Sequence, residues 1–362
     1  MKNRICETSQ ANFVTALRTA VLTTVITLGA TSTAVADTYD VASTFPKNMI
    51  FAGESAEHLA KLIENTTGGD VTLNIHGAGD LVPAFEVLNA VSSGSVPMGW
   101  DFMGYWGGTI PVAGLVGALP FGPGPDVING WMWDGGGHEI LMRAYGEINV
   151  MPLPCHITSP EPGGWFNTEI NTPEDLRGLK MRIAGMGGKV MERLGASTQQ
   201  IPAGEIYVAL ERGRIDATEF SLPVIDNTLG FQEIAKYYYF PGWHQPSTWQ
   251  TLLVNLEVWE GFKPSTQDAI MTACMANVNW TLAIAPAAQG AQIQTFVKEN
   301  GTQVRRFPDA VLEALHAASI DVIAEEAARD AYVAEAYQSI QDYAAKAQYW
   351  KDIQTLPIFD DK

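Results

Sequence analysis

The sequence predicts an α/β fold of two lobes, with a long helical region towards its C-terminal end. Stretches that alternate apolar and polar residues are repeatedly followed by stretches with helical spacing, which is the order of βαβ units. The chain has 362 residues, more than a single hydrophobic core usually organises, and this favours two lobes. Residues 309–349 contain no Gly and no Pro and are rich in Ala and Glu, which predicts one or two long helices.

A β-α-β-α-β pattern begins near residue 39. Residues 54–65 have the apolar spacing of an amphipathic helix that ends near the glycines at 68 and 69. Residues 71–76 alternate as a half-buried strand does. The predicted elements are, in order, strand Tyr39–Ser43, helix Glu54–Asn65, strand Val71–His76, helix Pro83–Ser92 and strand Val96–Trp100.

The middle of the chain repeats this pattern around Arg182. Thr172 followed by Pro173, Glu174 and Asp175 is typical of a helix start. The predicted elements are strand Trp165–Asn167, the helix from Thr172, strand Leu179–Ile183, helix Gly187–Leu194, extended Gln199–Ile201, helix Glu205–Arg212, strand Ile215–Phe220, strand Gln250–Asn255 and helical sequence from Pro264.

Residues 1–36 have the pattern of an export signal. Basic residues precede an uncharged stretch from 19 to 36, which ends Ala34-Val35-Ala36 before Asp37. This predicts a signal peptide that is cleaved after Ala36 and a periplasmic protein. A single membrane anchor is the alternative, although its apolar part would be short.

The chain is strongly acidic. Its formal net charge of −18 becomes −20 once residues 1–36, with three basic residues and one acidic residue, are removed. Such a charge argues against nucleic acid and anionic lipid as partners. An anionic ligand would have to be held by a local positive group, so each Arg that points inward is a candidate ligand contact.

Two cysteines, Cys155 and Cys274, follow the predicted signal. They could pair in an exported protein, but their number excludes a disulfide-rich fold. Cys274 lies in the largely apolar run 269–276, so it is interpreted as a small core residue of a helix. Cys155 and His156 are neighbours whose side chains would point to opposite faces of a strand, so they are not expected to form a nucleophile–base pair.

Arg182 is the strongest candidate for a ligand contact. It lies near the C-terminal end of a predicted strand, before a Gly-rich turn at 185–188, and ligands bind at such strand ends in α/β sheets. Its planar guanidinium can make two parallel bonds to a carboxylate and stays charged. A structural Arg paired with a nearby Asp or Glu is the alternative. Trp100, Tyr105 and Phe220, near strand ends, could wall a small-molecule cleft or pack in the core.

Motifs of several enzyme and nucleotide-binding classes are missing. Gly185–Lys189 invites comparison with a phosphate loop, but Val190 stands where that loop needs Ser or Thr. Val190 also replaces the last Gly of a dinucleotide fingerprint. The six histidines have no metalloprotease spacing, and no Gly-x-Ser-x-Gly elbow occurs. No catalytic residue is therefore expected.

Two longer motifs resemble the solute-binding proteins of TRAP transporters, DctP type. They are Thr172–Arg182 and the run from Glu205 to Glu219. The likeness extends from Ser43 to the C-terminal helices. Within that family, three segments are similar to the branch that binds 2-oxo acids and lactate, namely Gly163–Phe166, Lys189–Gly195 and Tyr237–Trp243.

The resemblance implies a two-lobed periplasmic-binding-protein fold that captures a small monocarboxylate, a 2-oxo or 2-hydroxy acid, and delivers it to a TRAP membrane permease. It implies that Arg182 clamps the ligand carboxylate beside a cation, Ca²⁺ or Na⁺, both of which take oxygen ligands. The expected substrate-binding residues are Arg182, Glu161, Trp100, Tyr105, Phe220 and Asn255. The implied metal ligands are Glu161, Glu219, the carbonyl of Phe220 and Gln245.

Three of these positions depart from the family pattern. Glu161 stands where the family has Gln, and Gln245 stands where it has Glu, so two carboxylates are kept. Phe220 replaces a Trp, which changes the pocket wall but not the backbone carbonyl. An ordinary surface pair is the alternative interpretation of Glu161 and Gln245.

The expected organisation is a signal peptide over 1–36, a first α/β lobe mainly over 37–160 and a second mainly over 161–255. A helical region over 256–362 is expected to cross between the lobes and pack on both. The C-terminal helix would lie on its own monomer or be exchanged in a homodimer. An exported enzyme with Glu161 and Glu219 as an acid–base pair, and a sensor co-receptor, stay open as alternative functions.

Overall fold

Two mixed β-sheets organise the part of the chain that the computed structural model describes, residues 37–356. The predicted signal peptide lies outside the described residues. The strands are β1 Asp37–Ser43, β2 Val71–His76, β3 Met98–Phe102, β4 Val150–Thr158, β5 Gly164–Phe166, β6 Lys180–Arg182, β7 Ser197–Gln199, β8 Ala217–Thr218, β9 Tyr237–Phe240, β10 Thr248–Asn255 and β11 Gln303–Arg306. Within the described range the first sheet has the order β2-β1-β3-β10-β4, and the second has the order β11-β9-β5-β8-β6-β7.

Helices cover the faces of both sheets, as an α/β fold requires. They are α1 Ala52–Thr66, α2 Val87–Ser92, α3 Pro111–Gly117, α4 Pro125–Asp134, α5 Gly137–Gly146, α6 Gly185–Arg193, α7 Ala203–Glu211, α8 Pro223–Leu229, α9 Phe231–Ile234, α10 Leu256–Gly261, α11 Pro264–Thr295, α12 Asp309–Arg329 and α13 Ala331–Gln354. Short 3₁₀ turns occur at Ala84–Glu86, Met103–Trp106 and Pro173–Leu176, and a π-helical turn, Phe296–Asn300, follows α11. None of the helices between residues 37 and 356 combines the length and the apolar character needed to cross a bilayer.

The chain passes between the two sheets three times within the described range. It leaves the first sheet after β4, returns to it with β10, and enters the second sheet again with β11. β10 runs antiparallel to both β3 and β4 and is buried along its whole length. β10 therefore belongs to the first sheet, although it lies in the range expected mainly in the second lobe.

The local sequence explains where the predicted and observed elements differ. The motif at Thr172 makes only the 3₁₀ turn Pro173–Leu176, in which the Asp175 carboxylate accepts the Asn171 and Thr172 N–H groups. The strand expected over 215–220 pairs only at Ala217–Thr218. Beyond it the backbone N–H of Glu219 bonds to the Arg182 carbonyl, and the chain then turns into α8. Pro83 introduces a 3₁₀ turn before α2 rather than one continuous helix.

The C-terminal region is helical as predicted, with one strand inserted. β11 pairs in parallel with β9, because the chain returns to the second sheet between α11 and α12. α12 packs on α6, whereas α13 packs on α3, α4 and α5. The break between α12 and α13 lies at Asp330, whose side chain caps α13 by accepting the Val333 N–H at 2.9 Å.

A disulfide joins Cys155 of β4 to Cys274 of α11. The pairing that the sequence left open therefore occurs, and Cys274 is buried as predicted. α11 lies along β4, and Asn277, one turn after Cys274, donates to the Cys155 carbonyl at 2.8 Å. The sequence did not show that these two elements are neighbours, because 119 residues separate the cysteines.

Replacing both cysteines by Ala is expected to lower the free energy of unfolding by about 2–5 kcal/mol, since the unfolded chain loses a long closed loop. Urea unfolding followed by tryptophan fluorescence measures the difference. Wild-type protein that has been unfolded and kept in reductant is the matched control and should give the same curve as the double variant. If the double variant unfolded at the same urea concentration as the wild type, the disulfide would not stabilise the fold.

Candidate functional site

Arg182 is buried at the end of β6, with only 1% of its surface exposed. Its Nη1 donates to the backbone carbonyl of Glu219 at 2.8 Å and to the Glu219 carboxylate at 2.7 Å. Its Nε donates to the Ile201 carbonyl at 3.3 Å. Nη2 makes only a long contact of 3.4 Å to the Tyr105 hydroxyl. Nη2 is thus the guanidinium nitrogen with the weakest hydrogen bonding to the described residues.

Glu219 is the carboxylate that balances this buried cation. One of its oxygens accepts both Arg182 Nη1 and the Ala184 N–H, the latter at 2.7 Å. The other oxygen lies 3.5 Å from His244 Nε2. Burial alone would raise the pKa of the Glu219 carboxyl, but Arg182, His244 and the Ala184 N–H together lower it. Glu219 is therefore ionised in the folded protein. The structural ion pair considered for Arg182 does exist, and its partner is itself a predicted metal ligand.

Glu161 is the second buried carboxylate, with 4% exposure. Its Oε1 accepts hydroxyl groups from Thr158 at 3.2 Å and from Ser221 at 3.3 Å. Burial, followed by the negative charge of Glu219, raises the pKa of Glu161 well above the ordinary value. The interpretation of Glu161 and Gln245 as a surface pair is wrong, because both side chains are buried.

The amide of Gln245 joins the two carboxylates. One end of the amide lies 2.9 Å from a Glu219 oxygen and 3.2 Å from a Glu161 oxygen, while the other end contacts the Thr248 hydroxyl at 3.2 Å. With its NH₂ group towards the carboxylates, Gln245 donates to both. With its oxygen towards them, three oxygens converge and require a positive charge between them.

Phe220, whose backbone carbonyl is an expected cation ligand, lines a cavity that Glu161 and Gln245 also line. This carbonyl accepts no hydrogen bond from any described residue, although Phe220 is nearly buried. Buried carbonyls are rarely left without a partner. Two carboxylates, an amide and a free carbonyl form the kind of donor set that hard cations prefer. Within residues 37–356, no three His, Cys, Asp or Glu side chains are grouped as a metal site, so a cation here would also use the amide and backbone oxygens.

The cavity is small and lies beside this group. Its volume of about 20 Å³ holds roughly one water molecule. Its lining is partly polar and partly apolar. The polar lining is Glu161, Ser221, Gln245, Thr248 and Gln250, and the more apolar lining is Phe45, Ala52, Phe102, Tyr105, Phe220 and Ile225. A larger molecule can enter only if lining side chains or the two sheets move apart.

Tyr105 and Phe220 separate Arg182 from the cavity. The Arg182 guanidinium lies over the Phe220 ring, 5.1 Å from its centroid. The Tyr105 ring packs edge-on against Phe85 and Phe102, with centroid distances of 5.1 and 5.0 Å. Burial raises the pKa of Tyr105 to about 12, so its hydroxyl stays protonated and can donate. Tyr105, which lines the cavity, therefore brings a second donor, its Oη, next to Arg182 Nη2.

The model of the bacterial extracellular solute-binding proteins, family 7 (DctP), matches residues 42–330. The chain belongs to this family. It is thus a solute receptor and not an enzyme, and the resemblance to TRAP solute-binding proteins is confirmed.

Relatives of this DctP protein cover nearly its whole length. It is 34% identical to the monocarboxylate 2-oxoacid-binding periplasmic protein of Nostoc sp., with 87% of this chain and 86% of that protein covered. The structure of a TRAP solute-binding protein from Colwellia psychrerythraea with bound calcium and pyruvate has a TM-score of 0.84 and 32% identity, covering 88% of this chain and 98% of that one. One from Pseudoalteromonas atlantica with bound sodium and pyruvate has a TM-score of 0.84 and 31% identity, covering 88% and 97%. The predicted periplasmic-binding-protein fold is confirmed.

Two of the residues expected in the DctP ligand site are placed elsewhere. Trp100 is fully buried on β3, where its indole N–H donates to the Ala52 carbonyl at 2.9 Å. Trp100 therefore holds Ala52, which lines the cavity, but does not line the cavity itself. Asn255 caps α10 by accepting the Glu257 N–H at 3.1 Å and donates to the Val91 carbonyl. It lies at the opposite end of β10 from Thr248 and Gln250.

Sequence reasoning missed several residues of this DctP site. Thr248 and Gln250 both line the cavity, and the carbonyl oxygen of the buried Gln250 amide has no partner among the described residues. Residues two apart on a strand share a face, so this alternation was a usable signal. It was obscured because the strand was expected to begin only at Gln250. His244, which faces Glu219, gave no comparable signal.

Replacing Glu161 by Gln should change how the stability of the cation-free protein depends on pH. The folded pKa of Glu161 is raised, so folding favours the protonated form. That contribution is complete below the ordinary Glu pKa of about 4.3 and is lost as the pH rises through the folded value. We expect the melting temperature of the wild type to fall relative to Glu161→Gln between pH 4 and 8 in chelator. A difference in melting temperature that stays constant from pH 4 to 8 would contradict the raised pKa of Glu161.

Proposed function

We propose that this DctP protein is the extracytoplasmic receptor of a TRAP transporter for a small monocarboxylate, a 2-oxo or 2-hydroxy acid. The observation that carries the proposal is the buried Arg182, whose Nη2 contacts only the hydroxyl of Tyr105, a residue that lines the cavity. The name of the Nostoc relative and the pyruvate bound in two similar structures support this class of ligand.

The ligand carboxylate would be held by Arg182 Nη2 and Tyr105 Oη. Nε and Nη1 already bind Ile201 and Glu219, so they orient the guanidinium. Hydrogen bonds between charged groups are roughly twice as strong as neutral ones. A local positive group is needed because the chain carries a formal net charge of −18, which repels anions at longer range.

Glu161, Glu219, Gln245 and the Phe220 carbonyl would hold a cation, Ca²⁺ or Na⁺, next to the ligand. When bound, the cation supplies positive charge that can be chelated by the ligand carboxylate and the neighbouring keto or hydroxy oxygen. With Ca²⁺, the cation and Arg182 balance the two glutamates and the ligand. With Na⁺, one negative charge remains in excess, which a proton on Glu161 would remove.

The apolar side chains that line the cavity favour ligands with a short chain. Phe45, Phe102 and Ile225 offer no polar side-chain atom, and Ala52 is fixed through its carbonyl by the Trp100 indole. A charged or strongly polar substituent would lose its hydration there without gaining a partner. These contacts support small 2-substituted acids over dicarboxylates.

Binding of pyruvate and lactate by calorimetry, with and without Ca²⁺, tests the proposal on chelator-treated protein. Arg182→Ala should weaken binding at least about 100-fold, and Tyr105→Phe about 10-fold, which are the usual effects of losing bonds to charged groups. Arg305→Ala is the matched control, because Arg305 pairs with Glu169 on the surface, and it should bind like the wild type. Full affinity in folded Arg182→Ala, or no binding of any acid by the wild type, would refute the proposal.

The two sheets would form two lobes that move apart to admit the ligand. The boundaries near residues 160 and 255 remain proposals, with β10 assigned to the first lobe because it pairs there. Export by a signal peptide cleaved after Ala36 is likewise a proposal. The extracellular class of the family supports it.

We propose that the chain forms a homodimer through the end of α13. Tyr349, Trp350, Ile353 and Leu356 are 59–81% exposed. Their spacing places them near one side of the helix axis, extended by Leu356 just beyond the helix. Exposed apolar patches of this kind commonly mark interfaces, and a second copy of this chain would cover this one.

The oligomeric state of residues 37–362 tests this surface. Size-exclusion chromatography with light scattering should give the dimer mass for the wild type and the monomer mass for Trp350→Ser/Ile353→Ser. Val208→Ser is the control, because Val208 is an exposed apolar residue of α7, and it should stay dimeric. A wild type that is monomeric at all concentrations would contradict the proposal.

A further inference from the structure

Asp226 is a buried carboxylate directly behind the proposed cation site. It lies in the first turn of α8 and has 1% exposure. Its Oδ2 accepts the Trp165 indole N–H and the Tyr238 hydroxyl, each at 2.9 Å. Its Oδ1 accepts the backbone N–H of Ser221 at 3.3 Å. Three donors from three different elements therefore fix the position of this carboxylate.

The Ser221 N–H belongs to the same peptide unit as the Phe220 carbonyl. The Phe220–Ser221 peptide is trans, since the one cis peptide bond among residues 37–356 is Phe240–Pro241. In a trans peptide the N–H and the C=O point in opposite directions. The Phe220 carbonyl consequently points away from Asp226, and it accepts no hydrogen bond from the described residues.

Ser221 is also held from the side of the site. Its hydroxyl donates to Glu161 Oε1 at 3.3 Å, while its N–H donates to Asp226. The peptide plane is thus fixed by two carboxylates, one of which is a proposed cation ligand. A peptide whose N–H bonds to a carboxylate has a more negative carbonyl oxygen, because hydrogen bonds in series polarise one another.

We propose that Asp226 is a positioning residue that aims the Phe220 carbonyl at the cation and strengthens it as a ligand. This inference rests on the proposed function, because it assumes that a cation binds at Glu161, Glu219 and Gln245. Partners behind the direct ligands of a metal commonly change its affinity by about 10–100-fold. Asp226 would act only through the peptide and would touch neither the cation nor the acid.

A purely structural Asp226 is the competing explanation. Trp165 and Tyr238 stack with their ring centroids 4.0 Å apart, and both donate to Asp226, so the carboxylate could serve only this aromatic pair. The two explanations differ at Tyr238→Phe. That variant removes a donor to Oδ2 and leaves the bond between Oδ1 and the Ser221 N–H in place.

Calorimetric titration of chelator-treated protein with Ca²⁺, then with pyruvate, separates the two explanations. Asp226→Asn keeps the size of the side chain, and its oxygen can still accept from both Trp165 and Tyr238, so its NH₂ group then faces the Ser221 N–H and cannot accept from it. We expect about 10–100-fold weaker Ca²⁺ binding in this variant. In Tyr238→Phe we expect Ca²⁺ affinity within about threefold of the wild type, although the lost buried bond lowers the melting temperature of both variants. Equal Ca²⁺ affinities in the two variants would overturn the inference.

A measurement on the wild type keeps the test independent of how well the variants fold. The dipeptide Phe-Ser occurs once in the sequence, at 220–221. Cell-free synthesis with carbonyl-¹³C Phe and ¹⁵N Ser therefore gives one HNCO cross-peak, from this peptide. We expect saturating Ca²⁺ to shift its ¹³C frequency. An unshifted peak in protein that binds Ca²⁺ would overturn the inference and the Phe220 ligand, but not cation binding by Glu161, Glu219 and Gln245. Wild type that binds pyruvate but no cation would overturn the cation part of the proposed function, and this inference with it.

Discussion

The buried ion pair between Arg182 and Glu219 is the interaction on which the site depends. An unpaired guanidinium in this position would cost several kcal/mol, and Glu219 offsets that cost with its carbonyl and its carboxylate, both bonded to Nη1. The same carboxylate accepts the Ala184 N–H, so the turns after β6 and β8 are tied together. The pairing leaves Nη2 as the remaining donor edge. Structural and binding roles of Arg182 are therefore compatible, because different nitrogens carry them.

A second constraint follows from the number of carboxylates. Glu161 is surrounded by hydroxyl groups and an amide, which can donate to it but cannot cancel its charge. Arg182 balances only one of the two glutamates, and burial makes the remaining charge costly. The folded protein resolves this by raising the pKa of Glu161. A proton and a cation are thus alternative ways to neutralise the same group.

The sequence predicted the parts of this site that lie on short, ordered motifs. Arg182 ends β6 and Glu219 directly follows β8, and these two strands pair in parallel, so their convergence followed from the βα pattern and the family motif. Contacts across long stretches of chain could not be predicted in this way. The bond between Cys155 and Cys274 depends on where α11 lies. Trp100 was an aromatic residue at a strand end, but the helix that begins at Ala52 covers it. Asn255 was expected at the ligand, but β10 runs antiparallel to β3 and carries Asn255 to the far end of the sheet.

The passages between the sheets would link ligand binding to the lobe movement proposed above. Glu161 lies in the passage from β4 to β5, and Gln245 lies in the passage from β9 to β10. The two passages are bonded to each other, since the Glu161 N–H donates to the Gln245 carbonyl at 3.2 Å. They also pack closely, because any Cβ at Gly242 would collide with the Glu161 carbonyl. A cation between the Glu161 and Gln245 side chains would therefore bind to the two segments about which the sheets would rotate. Binding of the cation would then also fix the angle between the sheets.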